Sequence, residues 1–147
     1  MIAFGKIAIA SFVLTLITST VTLAAPPVAK MTLPSPPFAS TPTPVLSWSW
    51  SVTNPLDIGS GSGGAGAGKV VLHDLVLTRN TDSQSALLFQ TLATGAHLDD
   101  VVLATDSVTV TLRSVFITGY KSDLGDGDKA PIDTVTMSYG AINFTAR

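Results

Sequence analysis

From residue 45 onward the chain alternates apolar and polar side chains, and the alternation changes face three times. A half-buried strand keeps its apolar residues at one parity, so each change requires a bulge, a corner or a break. In residues 69–78 (KVVLHDLVLT), Val70 and Leu72 share one parity and Leu75 and Leu77 take the other, which predicts a bulge near His73 and Asp74. Val108, Val110 and Leu112 give way to Val115 and Ile117 across Arg113-Ser114. Val135, Met137 and Tyr139 give way to Ile142 and Phe144 across Gly140. Three changes within one short domain predict a strongly curved sheet, either a barrel or a bent sandwich.

One segment departs from period two. Residues 85–93 (SALLFQTLA) place Leu88, Leu92 and either Leu87 or Phe89 on a helical stripe, with Asp82 or Ser85 as N-cap and Gly95 to end the helix. The fold class expected is therefore mainly β with one α-helix. Upstream, residues 45–53 (VLSWSWSVT) put Leu46, Trp48, Trp50 and Val52 on one face and Ser47, Ser49, Ser51 and Thr53 on the other, as one strand facing a core or a subunit contact. A carbohydrate-binding aromatic platform is the alternative use of the two tryptophans, and with it goes the alternative function of a secreted monomeric β-barrel that binds a carbohydrate or protein ligand through this strand. Thr105-Asp106-Ser107 predicts a tight turn between two strands, residues 120–131 a polar loop, and residues 133–145 a final strand.

The N-terminal part divides into two segments. Lys6 precedes an apolar run, and Thr22-Leu23-Ala24 supplies small residues at the cleavage-determining positions, so residues 1–24 predict an export signal. Removal would place the mature chain in the periplasm or outside the cell, and the alternative is a membrane anchor left uncleaved. Residues 25–44, punctuated by Pro26, Pro27, Pro34, Pro36, Pro37, Pro42 and Pro44, predict an extended arm outside the core, with residues 28–33 able to pair as an edge strand. Residues 45–147 then form the folded domain.

Charge excludes several functions. Ten acidic residues, all aspartate, against eight Lys and Arg give a net charge of −2, which supplies no basic surface for a nucleic-acid backbone. Cysteine is absent, so disulfides, thiolate nucleophiles and thiolate metal sites are excluded. His73 and His97 are the only histidines and neither has a metal-ligand spacing beside it. The aspartates at 123, 126 and 128 do not match a twelve-residue calcium loop. No G-x-S-x-G elbow is present, so a small hydrolase has no specific support.

Residues 59–68 form a glycine-serine loop whose Gly59, Gly61 and Gly64 match G-x-G-x-x-G, and whose Gly63, Gly68 and Lys69 nearly match a phosphate loop. The match fails at Val70, where magnesium would need a hydroxyl, and in context, because a strand follows where a helix N-terminus would be needed. The loop reads instead as a surface excursion between ordered elements.

The ordered series of motifs resembles the Hcp family, the tube proteins of type VI secretion systems. SWSW at 47–50, with Trp48 and Trp50, is followed by a glycine-rich loop ending in GAGK (Gly66 to Lys69) and by Asp74-Leu75. Asp82, Ser85, Leu88, Gly95 and His97 then stand in the order of the family's D-x-x-S-P-x-L and G-x-H pattern, with Ala86 in place of the proline. Arg113-Ser114-Val115 and VTMSYGAINF resemble its last paired strands. The resemblance implies a compact β-barrel of two curved sheets with a flanking helix, without catalysis or cofactor. It further implies hexameric rings stacked into a tube whose lumen carries effector proteins. In it the loop residues Gly59, Gly61, Gly63, Gly64, Gly66, Gly68 and Lys69 would form an inter-subunit contact. The proline-rich arm replaces the family's first strand, and the series stops before its last one, so the resemblance implies an exported, shortened variant.

Overall fold

Strand-forming residues dominate the computed structural model, which describes residues 27–38, 40–55, 69–125 and 130–147. The strands are β1 (Ala29–Thr32), β2 (Thr43–Val45), β3 (Ser47–Ser49), β4 (Val52–Thr53), β5 (Val71–Leu72), β6 (Leu75–Asn80), β7 (His97–Ala104), β8 (Val108–Asp123) and β9 (Ile132–Ala146). The helix, α1 (Ser85–Thr94), lies between β6 and β7. Seven strands form one sheet in the order β2-β1-β7-β8-β9-β6-β3, all neighbours antiparallel, and β4 and β5 pair separately.

The ends of the large sheet are consecutive in the chain. Only Leu46 separates β2 from β3, and its N–H donates to the Thr78 carbonyl of β6 at 2.8 Å. One stretch of chain thus leaves the β1 edge and joins the β6 edge, which nearly closes the sheet into a barrel and covers both edges. The expected single strand over residues 45–53 is accordingly divided among β2, β3 and β4, because no straight strand could serve three pairings.

The proline-rich segment is the main correction. β1 falls within residues 28–33, the stretch expected to be able to pair at an edge, yet it lies between β2 and β7 and not at an edge. Met31, Leu33 and Phe38 are buried with the rest of the core, so residues 29–38 and 43–45 are not an arm outside it. Strand pairing is possible because the prolines fall outside β1, and Pro44, the one proline in β2, sits on a strand with a neighbour on only one side.

β8 has 16 residues and would run about 50 Å if straight, whereas a globule of this chain length is roughly 40 Å across. The strand has to bend. Arg113 pairs with Ala141 and Val115 with Tyr139, which brings Ser114 and Gly140 opposite each other. Ser114 has φ of 53°, and a Cβ on Gly140 would stand 3.4 Å from the Ser114 Cβ. Inward-facing residues change parity here on both strands, so two of the three face changes in the sequence are one corner shared by β8 and β9. A second irregularity, the register shift between Ile117 and Gly119, adds curvature. The third change, at His73 and Asp74, is a break: β5 ends the two-stranded arm and β6 begins the barrel.

The predicted loop over 120–131 is shorter than expected, because β8 continues to Asp123 and pairs with β9 down to Ile132. The turn at 105–107 forms as expected, with the Thr105 hydroxyl accepting from the Val108 N–H at 3.0 Å. Leu75, Leu77, Val101, Leu112, Val135 and Met137 fill the interior, and Leu88 of α1 packs into it with no exposure.

Candidate functional site

α1 begins without a side-chain cap on its own N-cap residue, Gln84. Asp82 and Ser85, both expected as caps, work one step earlier. Asp82 Oδ1 accepts from the Gln84 N–H at 2.7 Å, and Ser85 Oγ accepts from the Asp82 N–H at 2.9 Å. Gly95 closes the helix in the left-handed conformation, φ 66°, and its N–H returns to the Leu92 carbonyl. Asp82, Ser85 and Gly95 are thus the two ends of one helix.

The Ser85 hydroxyl also donates to Asp133 Oδ2 at 2.5 Å, and the Thr81 hydroxyl donates to Asp133 Oδ1 at 2.6 Å. Asp133 is wholly buried on β9 and stands directly opposite Arg79 of β6, itself 1% exposed. Arg79 Nη2 forms an ion pair with Asp82, and Nη1 has no hydrogen-bond partner among the described residues. Burial works to raise the Asp133 pKa, but hydrogen bonds from Ser85, Thr81, Ser122 and Tyr120 overcome it and hold the carboxyl below the usual carboxylate value. Tyr120 is pushed above 10 by burial first and then by Asp133 as acceptor and charge.

Arg79, Thr81, Tyr120 and Asp133 are not singled out by motif. The signal for two of them lies in parity: Arg79 follows Leu75 and Leu77 at inward positions, and Asp133 precedes Val135 and Met137 in the same way. Charged residues at inward positions of two strands that pair predict a polar cluster in the interior, and within it Arg79 takes its ion pair from Asp82.

The remaining signature positions are dispersed. Asp74 accepts from the Ser138 hydroxyl at 2.5 Å on the outer side of the barrel. Tyr139 is pushed up by burial and by the nearby Asp74 charge. His97 opens β7, packs against Phe116 at 5.6 Å between ring centroids, and lies 3.6 Å from Asp99. Trp48 and Trp50 are half-buried against the core, and Trp50 meets Phe144, which fits the core reading of the SWSW segment. Lys69 is exposed, two residues before β5. Gly59, Gly61, Gly63, Gly64, Gly66 and Gly68 lie outside the described residues.

Two outer surfaces stand out. The β4–β5 pair exposes Val52 on one face and Val71 on the other, and Val70, just before β5, is exposed as well. On the barrel, Ser47, Thr78 and Thr134 form one cross-strand row and Ser49, Val76 and Thr136 the next, an uncharged face of short side chains. The hydroxyls of Ser47 and Thr78 bond to each other at 2.6 Å. Among the described residues, no group of three or more His, Cys, Asp or Glu side chains forms a metal site.

Comparison with known proteins matches this arrangement to a family. The family described as "Type VI secretion system effector, Hcp" matches residues 40–145. No curated protein matches. Among solved structures, a type six secretion system protein superposes with a TM-score of 0.68 at 18% identity, covering 79% of this chain and 81% of that one. Hcp1 from Salmonella typhimurium gives 0.61 at 21% identity over 79% and 83% of the two chains. A chain of the anti-feeding prophage baseplate, solved with six-fold symmetry applied, gives 0.55 at 16% identity over 86% and 97%. With the barrel, its flanking helix and a family match over residues 40–145, the chain belongs to the Hcp family, the tube-like structural proteins of type VI secretion.

Proposed function

We infer that this chain is a non-enzymatic ring subunit: six copies close into a ring, rings stack into a tube, and the lumen binds exported effector proteins. The observation that carries this reading is the β4–β5 arm. Among the described residues its strands pair with each other alone, and Val52, Val71 and the preceding Val70 are in solvent, at the two ends of residues 56–68. A two-stranded hairpin is marginal in water by itself, and its exposed valines gain a covering surface when another copy packs on them. The uncharged serine and threonine face of β3, β6 and β9 supports the same reading, because packing it against a second sheet desolvates no charge. A closed ring needs two different patches on each subunit, and the arm and this face are two such patches.

Export is part of the proposal. Residues 1–24 act as a signal, and the mature chain, beginning at Ala25, works in the periplasm or outside the cell. The terminal sequence of the protein recovered from the producing cell tests this: a chain starting at Ala25 is expected, and a membrane-bound chain retaining Lys6 overturns cleavage. Assembly is tested by mass. Native mass spectrometry or sedimentation of the mature chain should give six protomers, and a monomer at high micromolar concentration overturns the ring. Screening against ester and glycoside panels should return no turnover.

A further inference from the structure

The first residues of α1 are tied to the β8–β9 hairpin through one carboxylate. Asp133 receives the Thr81 hydroxyl on one oxygen at 2.6 Å and the Ser85 hydroxyl on the other at 2.5 Å, so it bridges the β6–α1 turn and the helix itself. Tyr120 and Ser122 of β8 approach it from the other side. α1 has few other polar ties to the barrel. Its ten residues, SALLFQTLAT, carry no charge, and it is held otherwise by apolar contacts: Leu88 in the core, Leu87 and Leu92 packed against it, and the edge-to-face contact of Phe89 with Tyr120 at 6.0 Å.

We propose that Asp133 is an acid-released latch: as an anion it holds the start of α1 against the β8–β9 hairpin, and on protonation the helix opens before the barrel does. The chemistry follows from donor count. An ionised carboxylate accepts from hydroxyls on both oxygens, whereas the neutral acid carries a proton on one oxygen, which turns an acceptor into a donor facing a donor. One short hydrogen bond must then break or reorient in a fully buried site, where an unmet polar group is costly. The pKa of the folded carboxyl, which burial raises and these hydroxyl donors bring below the usual carboxylate value, agrees in direction.

The other titratable groups around Asp133 are few among the described residues. β6 contributes Arg79, directly cross-strand, and the following turn contributes Asp82, paired with that Arg. β8 contributes Tyr120, and beyond it the exposed Lys121–Asp123 pair at 2.5 Å. α1 contributes none. Asp82 is the rival latch, since its carboxylate accepts from the Gln84 N–H at the same helix end.

Hydrogen exchange followed by mass spectrometry on the mature chain, between pH 6 and pH 2, distinguishes them. Protection of the α1 amides should fall at least tenfold at a pH where β7 and β8 keep theirs. Ser85→Ala and Thr81→Val each remove one donor to the anion, so in either the fall should begin at a higher pH. Asp133→Asn should show weak helix protection already at pH 6 and no further acid step, while Asp82→Asn should retain the step. Simultaneous loss in helix and strands overturns the latch, as does a Ser85→Ala onset equal to that of the unchanged chain. An acid step that vanishes in Asp82→Asn and survives in Asp133→Asn assigns the latch to Asp82 and overturns the proposal.

Discussion

The helix end around Asp133 and the β4–β5 arm solve opposite problems. At Asp133, a charged side chain with no exposure is surrounded by donors from three elements, and every one of them comes from this same chain. At the arm, valines face solvent on a pair of two-residue strands that form a sheet of their own, separate from that of the barrel. The first region is complete in one copy. The second is stable in water only at a cost, and a neighbour would remove that cost. The contrast separates residues that hold the fold from residues proposed to join subunits.

Substitution at the two regions should therefore give different losses, and the largest tests the first. Asp133→Ala should lower unfolding free energy by about 3 kcal/mol, since it leaves the buried Ser85 and half-buried Thr81 hydroxyls without an acceptor. Chemical denaturation measures this, and a loss below about 1 kcal/mol would remove the distinction between the regions. Ser114→Val should cost about 1–2 kcal/mol, because a β-branched residue is placed at φ 53°, while Ser114→Gly should be close to neutral. Thermal melts of the pair would show whether the corner or the helix end limits the barrel.

Dependence on pH should appear at both extremes. Asp133 has a folded pKa below its unfolded value near 4, so its contribution is present above that value and is lost as pH falls through the lower folded one. Tyr120 has a folded pKa above 10, so folding favours its neutral form, and its contribution is lost as pH rises past 10 toward the folded value. Replacing Tyr120 by Phe should flatten the alkaline side of a stability profile more than the acid side. The smallest stability effect belongs to the arm: Val52→Ser with Val71→Ser should change unfolding by no more than about 0.5 kcal/mol. The same variant should lose the high-mass species in native mass spectrometry, and rings that survive it would take the arm out of assembly.

Much of this arrangement was legible beforehand for a physical reason. Parity of apolar residues is a local property, and each face change marked a real feature, although the changes at Ser114 and Gly140 proved to be one corner seen from two strands. The helix was legible from its stripe and from Gly95, and the motif order carried the family. The Asp133 site was only half legible. Arg79 and Asp133 stood at inward positions, but nothing local says that residues 79 and 133 face each other, since cross-strand register is set by the whole sheet.

The proline-rich segment was legible only in part: residues 28–33 could be read as able to pair at an edge, but composition argued for an arm outside the core and said nothing of two neighbours. Whether an extended segment stays in solvent or becomes β1 depends on a free edge at β7 and on apolar positions such as Met31 and Leu33 meeting the core. Local periodicity and turn chemistry thus determined by themselves that this chain is a curved β-structure with one helix. Tertiary structure alone decided that residues 43–49 close the barrel and that Asp133 finds its donors, because both depend on pairings between residues far apart in the chain.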